Sequence, residues 1–480
     1  VTPLPSSDSP GPHRFPDPLR FPGSPDLLGS SGSPDSSGSP DSSGFRDSSG
    51  FRDALGELAG LVAAPVPLPA EVIERAKRHL LDTLGAALAG AATPAPGLAA
   101  PGNAPVWGIG LTAAPRDAAL LNGVAAHALE LDDTGGCDHS GAVVVPAALA
   151  CLDLAGRQVS GSELLEAIVL GYEVARRVLE ACGGYAAHNE AGWHSTGTCG
   201  TFGAAAASAR LLGLDGARTA DALGLAAGFS GGLWAFVHDG APSKRLHAGR
   251  AAEGGLTAAL LAASGTNGPG RVFDDVWGGF LRTYAGSDAD PGALTRDLGT
   301  EWRIARCSIK PYASCRSTHS SIDAIGGLDL LPDEIARIHV RLSPLVAGMC
   351  GGRDVATLPQ AQLSLPYAIA ARVLYGDADL AAYSPERRAD PRAAELMDRI
   401  DLEVDPEMGG IDEPVLTVTT TSGARRRARV RHPLGSPANP LSDERLLAKF
   451  HGLAPGREPL AEHVMTLDTL PDARDLLPLL

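Results

Sequence analysis

No uninterrupted apolar stretch approaches the roughly 20 residues that span a bilayer; runs such as Gly203–Leu212 and Leu256–Ala263 fall well short. A transmembrane reading therefore fails. Nor does a basic region followed by an apolar one stand near residue 1, so no secretory leader is expected. The seven cysteines are dispersed, odd in number and without a C-x-x-C pair. They read as reduced thiols of a cytoplasmic protein rather than a disulfide framework or a zinc site. Histidines spaced H-x-x-x-H or H-E-x-x-H are also missing, and no metal is expected. Aromatics make up only 5% of the chain, and positive charge is in short supply, with 40 Lys and Arg against 56 Asp and Glu and a net charge of −16. That balance excludes a nucleic-acid-coating protein and a binder of anionic membranes.

What the chain does have is length and apolar content, 480 residues at 44% hydrophobic, enough for a large core divided into two or three units. Residues 1–50 are dominated by Ser, Pro, Gly and Asp and repeat a six-residue unit (GSPDSS, GSPDSS, GFRDSS, GFRDAL). Such a segment cannot bury a core and is expected to be disordered. From residue 51 to about 305 the pattern is helical and Ala-rich, with apolar residues at helical spacing in Pro69–Ala91, Pro115–Leu131 and Gly161–Ala181. Glycines in Gly200–Gly203 predict helices that approach closely.

Between 306 and 435 the texture changes. Arg337–Leu342, Val415–Thr420 and Arg425–Val430 alternate as strands, the last two as a hairpin around Ser422-Gly423. Helical stretches at Ser317–Leu328, Ser364–Leu374 and Pro391–Ile400 lie among them, and helix alone returns over 436–480. The expected fold is thus mainly α: a large helical domain formed by both ends of the folded chain, with a smaller α+β lid domain. Arg425–Arg429 reads as a charged edge strand that blocks aggregation.

Four segments concentrate polar chemistry. Glu130-Leu-Asp-Asp-Thr134 leads to His139 between two apolar helices, where Asp138 and Ser140 are equally suited to capping. An imidazole there, with its ordinary pKa near 6.5, suits proton transfer. Gly192-Trp-His194-Ser-Thr-Gly runs into a buried helix; its GxxGxxG spacing and the lack of a preceding strand argue against dinucleotide binding. Lys244-Arg-Leu-His247 and Lys310-Pro-Tyr-Ala-Ser-Cys-Arg316 are cationic loops in different parts of an acidic chain. Two such loops suggest a cleft for a small multianion, against the simpler reading of solvated faces. A formal G-x-S-x-G at Gly228–Gly232 follows an Ala-rich helix rather than a strand, so a serine hydrolase is disfavoured.

Taken together, the stretches HALELDDT, HSGAVVVPAALA, GWHSTGTCGTFGAAAA, SKRLHAGRAAEGG, IKPYASCRSTHSSIDA, AQLSLPYAIA and HPLGSPANPLSDERLLAKF resemble the MmgE/PrpD family from about residue 54 to the C-terminus. Its members include 2-methylcitrate dehydratases, cis-aconitate decarboxylases and iminodisuccinate epimerases. The resemblance implies a homodimer, no metal or organic cofactor, and an active site formed by Glu130, Thr134, His139, His194, Lys244, Lys310 and Tyr367. In that reading Lys244 and Lys310, helped by His247 and Arg316, hold the carboxylates of a small polycarboxylate. His139 or His194 moves a proton, with Tyr367 as a second acid. Dehydration of a 2-methylcitrate-like substrate is the favoured outcome, with epimerisation, decarboxylation or carboxylate binding without catalysis as alternatives. Glu130 in place of Asp, a shortened loop before His139 and Ser140 after it are departures that bear on substrate identity, and the GWHSTGTCG form argues against itaconate formation.

Overall fold

Apolar residues recurring at helical spacing set the architecture of the computed structural model, which describes residues 49–93 and 99–480. The expectation for the repetitive tail, as far as residue 48, lies outside the described residues. The described chain is mainly helical, with a two-stranded antiparallel sheet of β1 (Ala104–Val106) and β2 (Leu111–Ala113) and a four-stranded mixed sheet.

The expected long helices form as Ala70–Gly90 and Gly161–Ala181, the latter started by a Ser160–Glu163 capping box. Helix Gly200–Leu211 crosses Gly161–Ala181 so closely that a Cβ on Gly203 would lie 2.5 Å from the Gly171 carbonyl oxygen. Glycine is what lets these two backbones meet. Helix Gly141–Cys151 is buried along its whole length, and Lys244–Ala263 packs beside it.

The helix expected over Pro115–Leu131 stops at Ala126. Beyond it the polar side chains hold the backbone instead: His127 turns to Asp132, and Glu130 adopts a positive φ of 53°. This early stop creates the loop on which the site is built.

In the sheet, β3 (Ile335–Leu342) lies between β4 (Ile400–Val404), which is parallel to it, and β5 (Val415–Thr420), which is antiparallel; β6 (Arg425–Ala428) forms the edge. Strand β6 exposes Arg425, Arg426 and Arg427, as a charged edge should. Strand β4 departs from the expectation of helix to Ile400, because the helix ends at Met397 and Ile400 enters the core beside Ile338. The chain end returns to the first helices: Phe450, Leu460 and Val464 share a core with Leu80, Leu81 and Leu84.

Candidate functional site

Strand and helix ends converge on a cavity of about 220 Å³ whose wall includes Glu130, Thr134, His139, Lys244, Cys315 and Arg316. Five of the nine residues expected at the site thus meet there: Glu130, Thr134, His139, Lys244 and Arg316. Lys310 is fully buried just behind, with Nζ 3.3 Å from Glu130 Oε2. His194 is fully buried and His247 half-buried, their Nδ1 atoms 3.0 Å apart.

Tyr367 does not join them. Ser364 caps its helix and the side chain turns into the sheet-side core, where its hydroxyl donates to the Ala382 carbonyl at 2.8 Å. A second acid at Tyr367 is not what this arrangement offers.

Glu130 is the hub for cations. Lys244 and Lys310 both donate to its carboxylate. Burial alone would favour the neutral acid, but the two ammonium groups outweigh it and hold Glu130 well below the usual carboxylate range. The same pairing raises Lys244 against its own burial. Lys244 opens a helix, where the dipole disfavours a cation, so the carboxylate is what makes the position tolerable.

Asp132 is the corresponding hub for imidazoles. Its Oδ2 lies 2.9 Å from both His127 Nδ1 and His139 Nδ1, and its Oδ1 lies 3.8 Å from Lys310. His139 Nε2 meets Asp138 Oδ2 at 3.2 Å, and Asp138 accepts a 2.6 Å hydrogen bond from Thr134. Burial opposes a charged ring, yet Asp138 and Asp132 outweigh it and push His139 up to about 10. It is therefore an imidazolium at neutral pH.

The neighbouring imidazoles go the other way. Burial takes His127 down to about 4, despite Asp132. His194 falls well below the usual range through burial and the nearby Lys244 and His247. One ring is set as an acid and two as neutral bases. The rings of His139 and His194 stand 6.3 Å apart, and Nε2 of His127 and of His194 are buried without a hydrogen-bond partner.

Asp138 holds its position at a φ of 103°, a strained conformation for a residue with a side chain. Neither it nor Ser140 caps the following helix; Asp133 does so, its Oδ1 accepting from Gly141 N at 2.9 Å. His127, His139 and His194 each offer a ring nitrogen within 4.8 Å of the others. Such a set can in principle take a transition metal, but His139 Nε2 is already committed to Asp138.

Several wall residues carry no motif: Arg176, Tyr185, Trp234 and Glu413. Glu413 pairs with Arg316 at 2.8 Å, and Trp234 is oriented by a 2.7 Å hydrogen bond from its indole N–H to Asn189. Only their three-dimensional neighbours mark them. His127 and Asp132 sat beside the recognised residues, where the density of polar side chains between two apolar helices was the available signal.

The helical body and small mixed sheet thus bring lysine, arginine, carboxylate and imidazole side chains together around one cavity. Two family models match in order, the MmgE/PrpD N-terminal domain over residues 62–291 and the MmgE/PrpD C-terminal domain over residues 312–469. The chain belongs to the MmgE/PrpD family. It is 31% identical over 457 residues to a cis-aconitate decarboxylase-like protein, oryM, of Aspergillus oryzae, covering 87% of this chain and 94% of that one. The cis-aconitate decarboxylase of Aspergillus terreus is 29% identical over 456 residues, 86% of this chain and 92% of the relative. That of Homo sapiens is 30% identical over 446 residues, 85% and 90% respectively.

Proposed function

We propose that the protein is a lyase that transfers a proton at a carbon adjacent to a carboxylate of a small polycarboxylate. The observation that carries this reading is His139, held between the Asp132 and Asp138 carboxylates in the cavity wall beside Lys244 and Arg316. The cations hold carboxylates through charge-assisted hydrogen bonds and stabilise the charge that builds up as the proton moves. His139 gives the proton.

A site that rests with its proton on the wall favours a reaction led by protonation. For an unsaturated acid of the cis-aconitate type, the alkene electron pair takes the proton from His139. The bond to a carboxylate on the far side then breaks, its electron pair becomes the new double bond, and carbon dioxide leaves. The similarity to cis-aconitate decarboxylases supports this direction.

Dehydration of a 2-methylcitrate-like acid is the second reading. The pairing of cationic His139 with neutral His194 favours it, since elimination of water needs an acid for the hydroxyl and a base for the carbon-bound proton.

Incubation in deuterated water with cis-aconitate and with 2-methylcitrate, followed by proton NMR, separates the two. Decarboxylation gives new vinylic methylene signals, one solvent deuterium in the product and release of carbon dioxide. Dehydration gives an alkene from 2-methylcitrate with all carbons retained. His139→Gln should cost at least about a hundredfold in kcat/KM. No change in either acid, or full activity of the variant, removes the proposal.

A further inference from the structure

The proposed chemistry needs only the charged cavity, yet a second recess lies beside it. A groove of about 570 Å³ adjoins it, and Trp234 and Gly410 line both. The helix Pro344–Cys350 bridges the two, giving Val346 to the cavity and Leu345, Gly348 and Met349 to the groove. Tyr185 links them again: it lines the cavity, and its hydroxyl lies 3.8 Å from Met349 Sδ.

The lining changes character across this boundary. The cavity has Arg176, Lys244 and Arg316 in its wall, whereas no Lys or Arg lines the groove. Val237, Leu345, Met349, Pro406 and Met408 are among its apolar lining, with Asn189, Glu190 and His238 as its polar members. A carboxylate moved from the cavity into the groove would lose every cationic partner, so the groove suits an uncharged arm attached to the acid. At about 220 Å³ the cavity alone is smaller than the range of about 300–1,000 Å³ usual for larger ligands, and the groove extends the site into that range.

We infer that the substrate is an alkyl-substituted polycarboxylate whose acid groups sit at Lys244 and Arg316 and whose alkyl arm passes Trp234 into the groove. This rests on the lyase reading for the reaction but not for the binding. Burying each methylene along Leu345, Met349 and Met408 should strengthen binding about three- to fourfold until the groove is filled. Gly348 supplies the means to fill it from the protein side, since a Cβ there meets nothing within 4 Å. Leucine, a good helix former, suits the position.

The test is calorimetric titration of the full chain with succinate and with methyl-, butyl- and hexylsuccinate. Turnover is measured in parallel on unsubstituted and alkylated aconitates and citrates, using wild type and Gly348→Leu. The expected result is affinity that rises with chain length in wild type and a flattened dependence in Gly348→Leu, with unchanged circular dichroism showing that the variant folds. If the slope is present but none of the acids reacts, the inference stands and the lyase reading falls. If short acids react while wild type shows no gain with chain length, the inference is overturned. It is equally overturned if Gly348→Leu leaves the slope intact, or if the slope is flat and the variant changes the sedimentation coefficient, which would make the groove an interface between two copies.

Discussion

Asp138 and Asp132 together decide what His139 is. Two carboxylates face this ring, Asp132 at Nδ1 and Asp138 at Nε2, with the rings of His127 and His194 beyond. In Asp132→Asn one of the two charges is lost, and the His139 titration should fall from about 10 by at least one unit. Nitrogen-15 NMR of the histidine rings reads this directly, and the alkaline limb of the activity profile should move down with it. The stability sign follows. His139 is raised above its unfolded value near 6.5, so its contribution is fully present below that pH and is lost as pH rises through about 10. In Asp132→Asn that loss begins at lower pH. Cys315 is a second residue set by its neighbours: the Cys350 thiol, and then Lys244 against the effect of burial, hold it below the usual thiol range. Its rate of alkylation by iodoacetamide should reach half its plateau at a lower pH than that of a free thiol and be slowed by a bound dicarboxylate. Cys137 and Cys199, pushed well above the usual thiol range by burial, should not react in the folded protein.

Among the elements, the crossing of Gly161–Ala181 with Gly200–Leu211 is the least tolerant. In Gly203→Val a side chain would meet the Gly171 carbonyl oxygen at 2.5 Å and Ala175 Cβ at 2.7 Å. Chemical denaturation should show a loss of about 1–3 kcal/mol. Elements of this kind were legible in the sequence, because a helix with one or more buried faces repeats its apolar residues at a fixed spacing and small residues mark close crossings. Strand β4 was not, since Ile400-Asp-Leu-Glu-Val404 follows directly on a helix and alternates acids with apolar residues over only one short run. Its parallel partner β3 lies about 60 residues earlier in the chain. The site divides in the same way. Glu130, Thr134, His139 and Lys244 stood out by the chemistry of their own segments. Trp234 and Glu413 acquire meaning only from what the fold brings to them, and the φ of 103° at Asp138 is a property of the folded loop. Tyr367 shows the limit of transferring a role by motif, because the local cap that starts its helix also turns the ring away.

At the scale of the whole molecule, the two ends of the folded chain are one structure. Lys449, on the helix Asp443–Leu453, donates to Asp82 and, at 2.7 Å, to the Leu131 carbonyl, between Glu130 and Asp132. The aromatic ring of Phe450 lies against Gly85. Truncation before Ser442 should therefore yield insoluble protein rather than a smaller active one, as checked by expression and circular dichroism. The Glu130 hub bears on the entire molecule's commerce with its solution. With both lysines already satisfied by a tethered carboxylate, the empty site behaves as though a competitor were permanently supplied. Sulfate or phosphate, which would otherwise collect on two buried ammonium groups, must contend with a rival that never diffuses away. The site is thereby tuned to acids that offer more than charge.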